Sequence, residues 1–446
     1  MSTTNTDSNY KYEFIGRDEE IDTFKDVLKT SQPRKALYIE ADGGIGKTKL
    51  LNKFIEIGWK EGFNADPTVN QNILIDFYNL SNRTLSGLMR NIANKIGSHH
   101  FPNYFDKDRY LSNLQTLEED GKKENVTDLE AEMQSIFLNE LNAIDSSAMA
   151  HKALFFDTFE KVCKNEAGRW FIRRFIPVAN RIGFVIVFAG RKSISISKEL
   201  AITKPLRNFS RDEFRRYMET HHTKYDEMSK DKDFYQLTNS GNPLLVELME
   251  FTNWPNINEE NPEKDLEGQL VRDFINVVES EPYNKLMLEM AYLKHGYTER
   301  IFNHRLGKYN GIKDWADVKK QIKYPFVKSY DSDNVFVLHD KFQDMIEAPD
   351  RRRGALIDTV NDLYEDVVKN LYETMIAEEG DDNAKSLLRA EQLSYILNYD
   401  TPDWELAKEK ILQYYKQKSY NLNSFLVSEI SATDFNNCPD EFKDEL

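Results

Sequence analysis

One octapeptide restricts the fold of this 446-residue chain more than any other feature: Ala41-Asp42-Gly43-Gly44-Ile45-Gly46-Lys47-Thr48. Ala36-Leu37-Tyr38-Ile39-Glu40, just before it, reads as a strand, and Lys49–Ile55, just after it, reads as a helix. Gly43, Gly44 and Gly46 let the backbone turn sharply and aim N–H groups at phosphate oxygens. The helix N-terminus adds its partial positive charge. Lys47 supplies a formal charge for β- and γ-phosphates, and Thr48 offers a hydroxyl to Mg²⁺. Ile45 and Lys49 are counted with the loop as candidate nucleotide contacts. The usual pattern begins with Gly, where this chain has Ala41. A small side chain preserves the close approach, but a left-handed backbone at that position would be strained.

Four short apolar runs, Ala36–Ile39, Ile73–Phe77, Ala153–Phe156 and Phe184–Ala189, alternate with helical stretches. Runs this dense read as parallel strands covered on both faces, so an α/β domain is expected over 13–205 behind a disordered tail at 1–12. After Pro205, Ser210-Arg211-Asp212-Glu213 has the form of a capping box opening a helix, and 206–262 reads as a small helical domain. Over 263–350, three helical patterns precede the pair Phe326–Tyr330 and Val335–Leu338, with a tight turn at Asp331–Asn334, the order of a winged helix. From 351 to 446 the pattern is helical. Leu356, Val360, Leu363, Val367 and Leu371 form one stripe, with further helices near 383–397, 403–417 and 420–431. These paired helices look tetratricopeptide-like, and the pattern fades near the acidic end as expected of a truncated region.

Ala153-Leu154-Phe155-Phe156-Asp157 is an apolar strand ending in a carboxylate, placed to orient Mg²⁺ beside the phosphates. Thr158 stands where many ATPases carry a catalytic Glu, which leaves Glu160 as the nearest candidate base or, equally, a carboxylate favoured at a helix start. Phe184–Arg191 ends in Gly190-Arg191, and Arg191 is the candidate reader of the γ-phosphate. Arg173 and Arg174 are alternative phosphate-facing arginines that read more readily as helix-surface residues. The neighbours His99-His100 and His221-His222 point to different helix faces and make poor metal clamps.

Together these residues resemble the STAND class of P-loop ATPases, the AAA+-related, NB-ARC-like signalling proteins, over about 13–350. The resemblance implies a P-loop α/β domain followed by a helical lid, a winged helix and a helical repeat-like region. It implies that the segment Phe14-Ile15-Gly16-Arg17 packs on adenine, with Phe14, Ile15 and Arg17 as contacts, and that Arg191 is the sensor arginine. Gly241-Asn242-Pro243 resembles the lid motif whose proline meets the base or sugar; by its residues alone it is a turn starting a helix. Leu338-His339-Asp340 is similar to a Met-His-Asp motif, which implies that His339 touches the β-phosphate of ADP and holds a closed state; by itself His339 reads as a structural residue. The implied cofactors are ATP/ADP and Mg²⁺. The implied activity is a switch with slow hydrolysis, opening and self-associating when the C-terminal helices sense a protein or peptide partner. Two rival readings stand beside it: an ATP-dependent winged-helix DNA-binding regulator of the Orc/Cdc6 type, and a nucleotide-stabilised interaction scaffold.

Composition bears on these alternatives. A net charge of −16 disfavours nucleic acid and anionic membrane as partners of the overall field. No apolar run approaches the roughly 18 residues of a membrane span. The two cysteines, Cys163 and Cys438, provide neither a disulfide framework nor a zinc spacing. The polar start lacks an apolar signal core, so the Lys443-Asp444-Glu445-Leu446 end is expected to match a retention signal by chance, and a cytoplasmic setting is expected.

Overall fold

A computed structural model describes residues 14–30, 33–63, 73–113, 126–145, 151–191, 194, 196–221, 233–248, 282–309, 311–322, 327–330, 334–338, 342–343, 354–397, 403–417, 422–423, 425–427 and 430. Its first part is a parallel five-stranded sheet: β1 (Ala36–Glu40), β2 (Leu74–Asp76), β3 (Ala153–Asp157), β4 (Val185–Gly190) and β5 (Ala201–Pro205), in the order β2-β3-β4-β1-β5. Helices α1 (Asp18–Lys29) and α2 (Lys47–Lys60) cover one face. The other face carries α3 (Leu85–Ile96), α4 (Pro102–Asn113), α5 (Val126–Ala143), α6 (Glu166–Trp170) and α7 (Ile176–Ile182), the last two joined by a π-helical stretch at Phe171–Phe175.

Strand alternation sorts the side chains. Leu37, Ile39, Phe155, Val185 and Val187 pack under α1 and α2 with the stacked pair Phe24–Phe54, whose ring centroids are 4.4 Å apart. Tyr38, Leu154, Phe156, Ile186 and Phe188 pack on the opposite side, where Phe171 meets Phe156 edge-on at 4.6 Å. Each such fully buried side chain contributes about 2 kcal/mol of transfer free energy. Covering on both faces is why the strands read as continuous apolar runs. The sequence pattern missed β5. Among the described residues it is an edge strand paired with β1 alone, its burial alternates, and it carries Lys204 and ends at Pro205, which an edge tolerates.

The remaining elements are α8 (Arg211–His221), α9 (Phe234–Leu237), α10 (Pro243–Leu248), α11 (Pro282–Tyr292), β6 (Tyr297–Thr298), α12 (Glu299–Arg305), α13 (Trp315–Gln321), β7 (Val327–Tyr330) and β8 (Val335–Leu338). The expected capping box forms in both directions. The Ser210 N–H donates to Glu213 Oε2 at 2.7 Å, and the Glu213 N–H donates to Ser210 Oγ at 3.2 Å. Strands β6-β8-β7 make a small antiparallel sheet. One long helix follows: α14 (Gly354–Leu363) continues through a π-helical stretch, Tyr364–Leu371, into α15 (Tyr372–Glu378). Then come α16 (Asp382–Leu397) and α17 (Trp404–Tyr415). Val360, Leu363, Val367 and Leu371 of the expected stripe are buried.

A single apolar cluster runs from Phe209 to Leu426. The helical part meets the α/β part at a separate small cluster, where Leu80 packs with Ala390 and Phe425, and where the Tyr78 hydroxyl donates to Gln343 Oε1 at 3.4 Å. Most of the expected turn at 331–334, half of the expected helix at 420–431, the 1–12 tail and the C-terminal tetrapeptide lie outside the described residues. No described helix is long and apolar enough to cross a membrane.

Candidate functional site

The octapeptide leaves β1 at the carboxyl edge of the sheet and feeds α2, whose first residue is Lys47. Gly44 has φ +82 and Gly46 has φ +95, the left-handed conformation that glycine adopts without strain. Ala41 is buried and is not among the residues with positive φ, so the strain that an alanine there threatened does not arise. Lys47 Nζ folds back over the loop and donates to the carbonyls of Ala41 (2.9 Å) and Asp42 (2.8 Å). Burial pulls the Lys47 pKa below the ordinary lysine value; Glu160 and Asp157 oppose this, while Arg191 and Lys328 add to it.

Strand β4 separates β1 from β3, yet α2 packs over β4 and β3, and the Thr48 hydroxyl donates to Asp157 Oδ2 at 2.5 Å. Asp157 Oδ1 accepts the N–H of Thr158 at 2.8 Å. Thr158 itself sits at φ +60, a strained conformation for a β-branched residue, directly after the carboxylate. Glu160 is engaged with Arg191: Oε2 accepts its backbone N–H at 3.2 Å, and Oε1 lies 3.4 Å from its Nε. The Tyr38 hydroxyl holds the Arg191 carbonyl at 2.9 Å. Arg173 and Arg174 are exposed.

Segments remote in sequence close over the loop. Arg17 is buried, at φ +69, and donates to the carbonyls of Ile45 (3.0 Å) and Arg207 (2.6 Å), with Phe209 facing its guanidinium at 5.4 Å. Phe14 lies under Lys53, and Ile15 is buried. Pro243 is the first residue of α10, where Asn242 Oδ1 caps the N–H groups of Leu244 and Leu245. The Leu244 N–H also donates to the Gly44 carbonyl at 3.1 Å, and Lys49 pairs with Glu247. So α10 rests directly on the phosphate loop. His339 lies outside the described residues.

Two groups at this site escaped the sequence reading. Asp76 ends β2 in register with Asp157 at the end of β3, and its Oδ1 accepts the Tyr78 N–H at 2.8 Å. Burial, then the neighbouring Asp157, raises the Asp76 pKa, with Lys328, the Tyr78 N–H and the Thr158 hydroxyl opposing. The signal was present in Leu74-Ile75-Asp76, an apolar strand closing on a carboxylate as β3 does. Lys328, on β7, carried no such signal.

No protein-family model matches the chain, and no curated protein matches it in sequence. Among solved structures it is similar to a Signal Transduction ATPase with Numerous Domains (STAND) protein with a tetratricopeptide repeat sensor, from Pyrococcus horikoshii. The TM-score is 0.56 at 15% identity, covering 94% of this chain and 54% of that one. The fold is that of a STAND protein. The resemblance read from the octapeptide and its companion motifs therefore holds at the level of the fold, and this chain spans about half the length of that STAND relative. A second likeness, to the Orc1 protein of Aeropyrum pernix in complex with DNA, covers 77% of this chain and 95% of that one at 11% identity. Its TM-score of 0.31 is too low to carry an argument.

Proposed function

We propose that this chain is a STAND-type switch that binds ATP or ADP with Mg²⁺ and hydrolyses ATP slowly, its nucleotide state and a partner on the C-terminal helices governing opening and self-association. The observation that carries the reading is the hydrogen bond from the Leu244 N–H, one residue after Pro243, to the Gly44 carbonyl. A lid helix in contact with the phosphate loop moves when the loop's ligand changes.

The residues fit a magnesium nucleotide. Gly44 and Gly46 present loop N–H groups, and Lys47 stands at the loop with its charge. Thr48 and Asp157, joined by a hydrogen bond, are the hydroxyl and carboxylate that would hold Mg²⁺. ATP in this site supplies the γ-phosphoryl group that passes to water. Lys47 would neutralise the phosphates. Glu160 is engaged by Arg191, and Thr158 offers no carboxylate, which supports slow turnover. Arg191 would exchange Glu160 for the γ-phosphate and so report its presence. Phe14 and Ile15 are assigned to the adenine and His339 to the β-phosphate on the sequence resemblance, with the antiparallel β6-β8-β7 sheet and its helices as the winged helix.

The test is Lys47→Ala. Loss of nucleotide binding is expected, and an affinity equal to wild type sinks the proposal. For the switch, the intact chain is sized on a column with ADP and with a non-hydrolysable ATP analogue. A larger species with the analogue is expected, and identical elution counts against switching.

A further inference from the structure

We infer that Tyr38, inside the parallel sheet, is a positioning residue for Arg191: its hydroxyl fixes the backbone from which the arginine meets the terminal phosphate of ATP. The inference rests on the reading of Arg191 above and deepens it.

Tyr38 on β1 pairs in register with Phe188 on β4. Their rings stack with centroids 4.8 Å apart, and Phe159 meets Phe188 edge-on at 5.3 Å. Tyr38 has no exposed surface, so this packing fixes where its hydroxyl points. Burial, then Glu40, Glu160 and Cys163, raises the Tyr38 pKa, and the hydroxyl keeps the proton it donates. At the end of β4 the Ala41 N–H donates to the Gly190 carbonyl at 3.1 Å, which carries the β1–β4 pairing to the last residue of the strand. The next carbonyl, that of Arg191, lies past the strand. There the Tyr38 hydroxyl takes the place of a ladder donor, at 2.9 Å. Glu160 Oε2 accepts the Arg191 N–H at 3.2 Å. Side chains thus hold both backbone groups of Arg191, while 39% of its own side chain is exposed. The guanidinium is open to a ligand on a fixed base. Gly190 lets this arrangement close: a Cβ there would lie 3.3 Å from the Tyr38 hydroxyl oxygen, 3.3 Å from Phe159 Cβ and 3.4 Å from the Glu160 nitrogen. A fixed backbone lowers the ordering cost of taking up an anion, and a freed one raises it.

The test measures binding of a non-hydrolysable ATP analogue and of ADP to the intact chain as wild type, Tyr38→Phe, Arg191→Ala and the double variant. Tyr38→Phe keeps the ring and removes the donor. It should weaken the analogue by about threefold to tenfold and leave ADP within about twofold. The double variant should bind the analogue no more weakly than Arg191→Ala does, because Tyr38 acts through Arg191. If Arg191→Ala loses the preference for the analogue and Tyr38→Phe keeps it, the inference falls and the reading of Arg191 stands. If Arg191→Ala keeps the preference, both fall. An equal loss for both nucleotides in Tyr38→Phe, or losses that add in the double variant, also overturns the inference, since Tyr38 would then serve the sheet alone. Should Tyr38→Phe fail to fold, hydrogen exchange in the wild type decides. The Arg191 amide should exchange as slowly as that of Ala189 in β4, and exchange at the rate of an open loop overturns the inference.

Discussion

Replacing Arg305 by methionine removes the positive centre of a buried cluster that ties three helices together. The Arg305 side chain has no exposed surface, and neither does that of Glu289 on α11. Nε and Nη2 donate to the two carboxylate oxygens of Glu289 at 2.9 and 2.7 Å. Nη1 reaches Asp366 at 2.6 Å, and Nη2 also reaches Asp362 at 2.9 Å, both on the long helix 354–378. Burial disfavours the guanidinium charge, but the bonds from Glu289 and Asp362 outweigh it, and the pKa of Arg305 rises. Asp362 is 45% and Asp366 29% exposed, so solvent screens their share to about 1 kcal/mol or less each. The main loss is the stranded Glu289 carboxylate, left among the described residues with the hydroxyls of Tyr297 and Tyr309. Breaking one side of such a pair costs about 3–5 kcal/mol. Because a multidomain chain need not unfold in one step, local opening is the better readout. Hydrogen exchange over 285–309 should accelerate by about two to four decades. The double variant Arg305→Met/Glu289→Leu should recover a large part of the loss, since it strands no charge. Exchange within a factor of three of wild type in Arg305→Met would show that apolar packing alone holds these helices.

Three further outcomes follow from the site and its surroundings. Asp157→Asn should leave the Thr48 hydroxyl an acceptor but weaken Mg²⁺ by about tenfold or more, read as the Mg²⁺ dependence of nucleotide binding; an unchanged dependence removes Asp157 from the metal site. Gly44→Ala would place a Cβ 3.1 Å from that of Leu244 at φ +82. A destabilisation of about 1–3 kcal/mol is expected, with faster exchange at the Leu244 amide, and a neutral change would mean that α10 does not bear on the loop. The third concerns His295, whose pKa is driven well below 6.5 by burial, with Arg83, Lys161 and Lys294 adding to it. A depressed pKa in the folded chain means that the unfolded chain takes up the proton first. The stabilisation is therefore complete above about pH 6.5 and lost as pH falls below it. The melting temperature should drop on that acid side, and His295→Gln should flatten the drop; parallel pH profiles would exclude His295 as the cause.

The proposed switch gains a physical route from these contacts. Arg305 joins α11 and α12 to the long helix 354–378, Leu80 meets Ala390 and Phe425, and α10 rests on Gly44. A partner on the C-terminal helices would bias the loop through packed elements.

What the sequence determined by itself was local. The glycines of the loop, the Ser210–Glu213 capping box, Pro243 at a helix start, the strand runs and the 360–371 stripe depend on backbone conformation and on the period of burial, which consecutive residues encode. Strand order and convergence belong to the tertiary structure alone. Only the pairing of β2 with β3 brings Asp76 beside Asp157, and only the placing of β4 between β1 and β3 makes α2 cross the sheet to join Thr48 to Asp157. The resemblance put Arg17 among the adenine-side contacts, but that its guanidinium bonds to the Ile45 and Arg207 carbonyls is visible only in the folded chain. Glu160 and Arg191 read as separate candidates and form a pair. Lys328 and Arg305 showed no signal, because an isolated charge in a polar stretch has no period, and its partners lie on elements that only packing brings near.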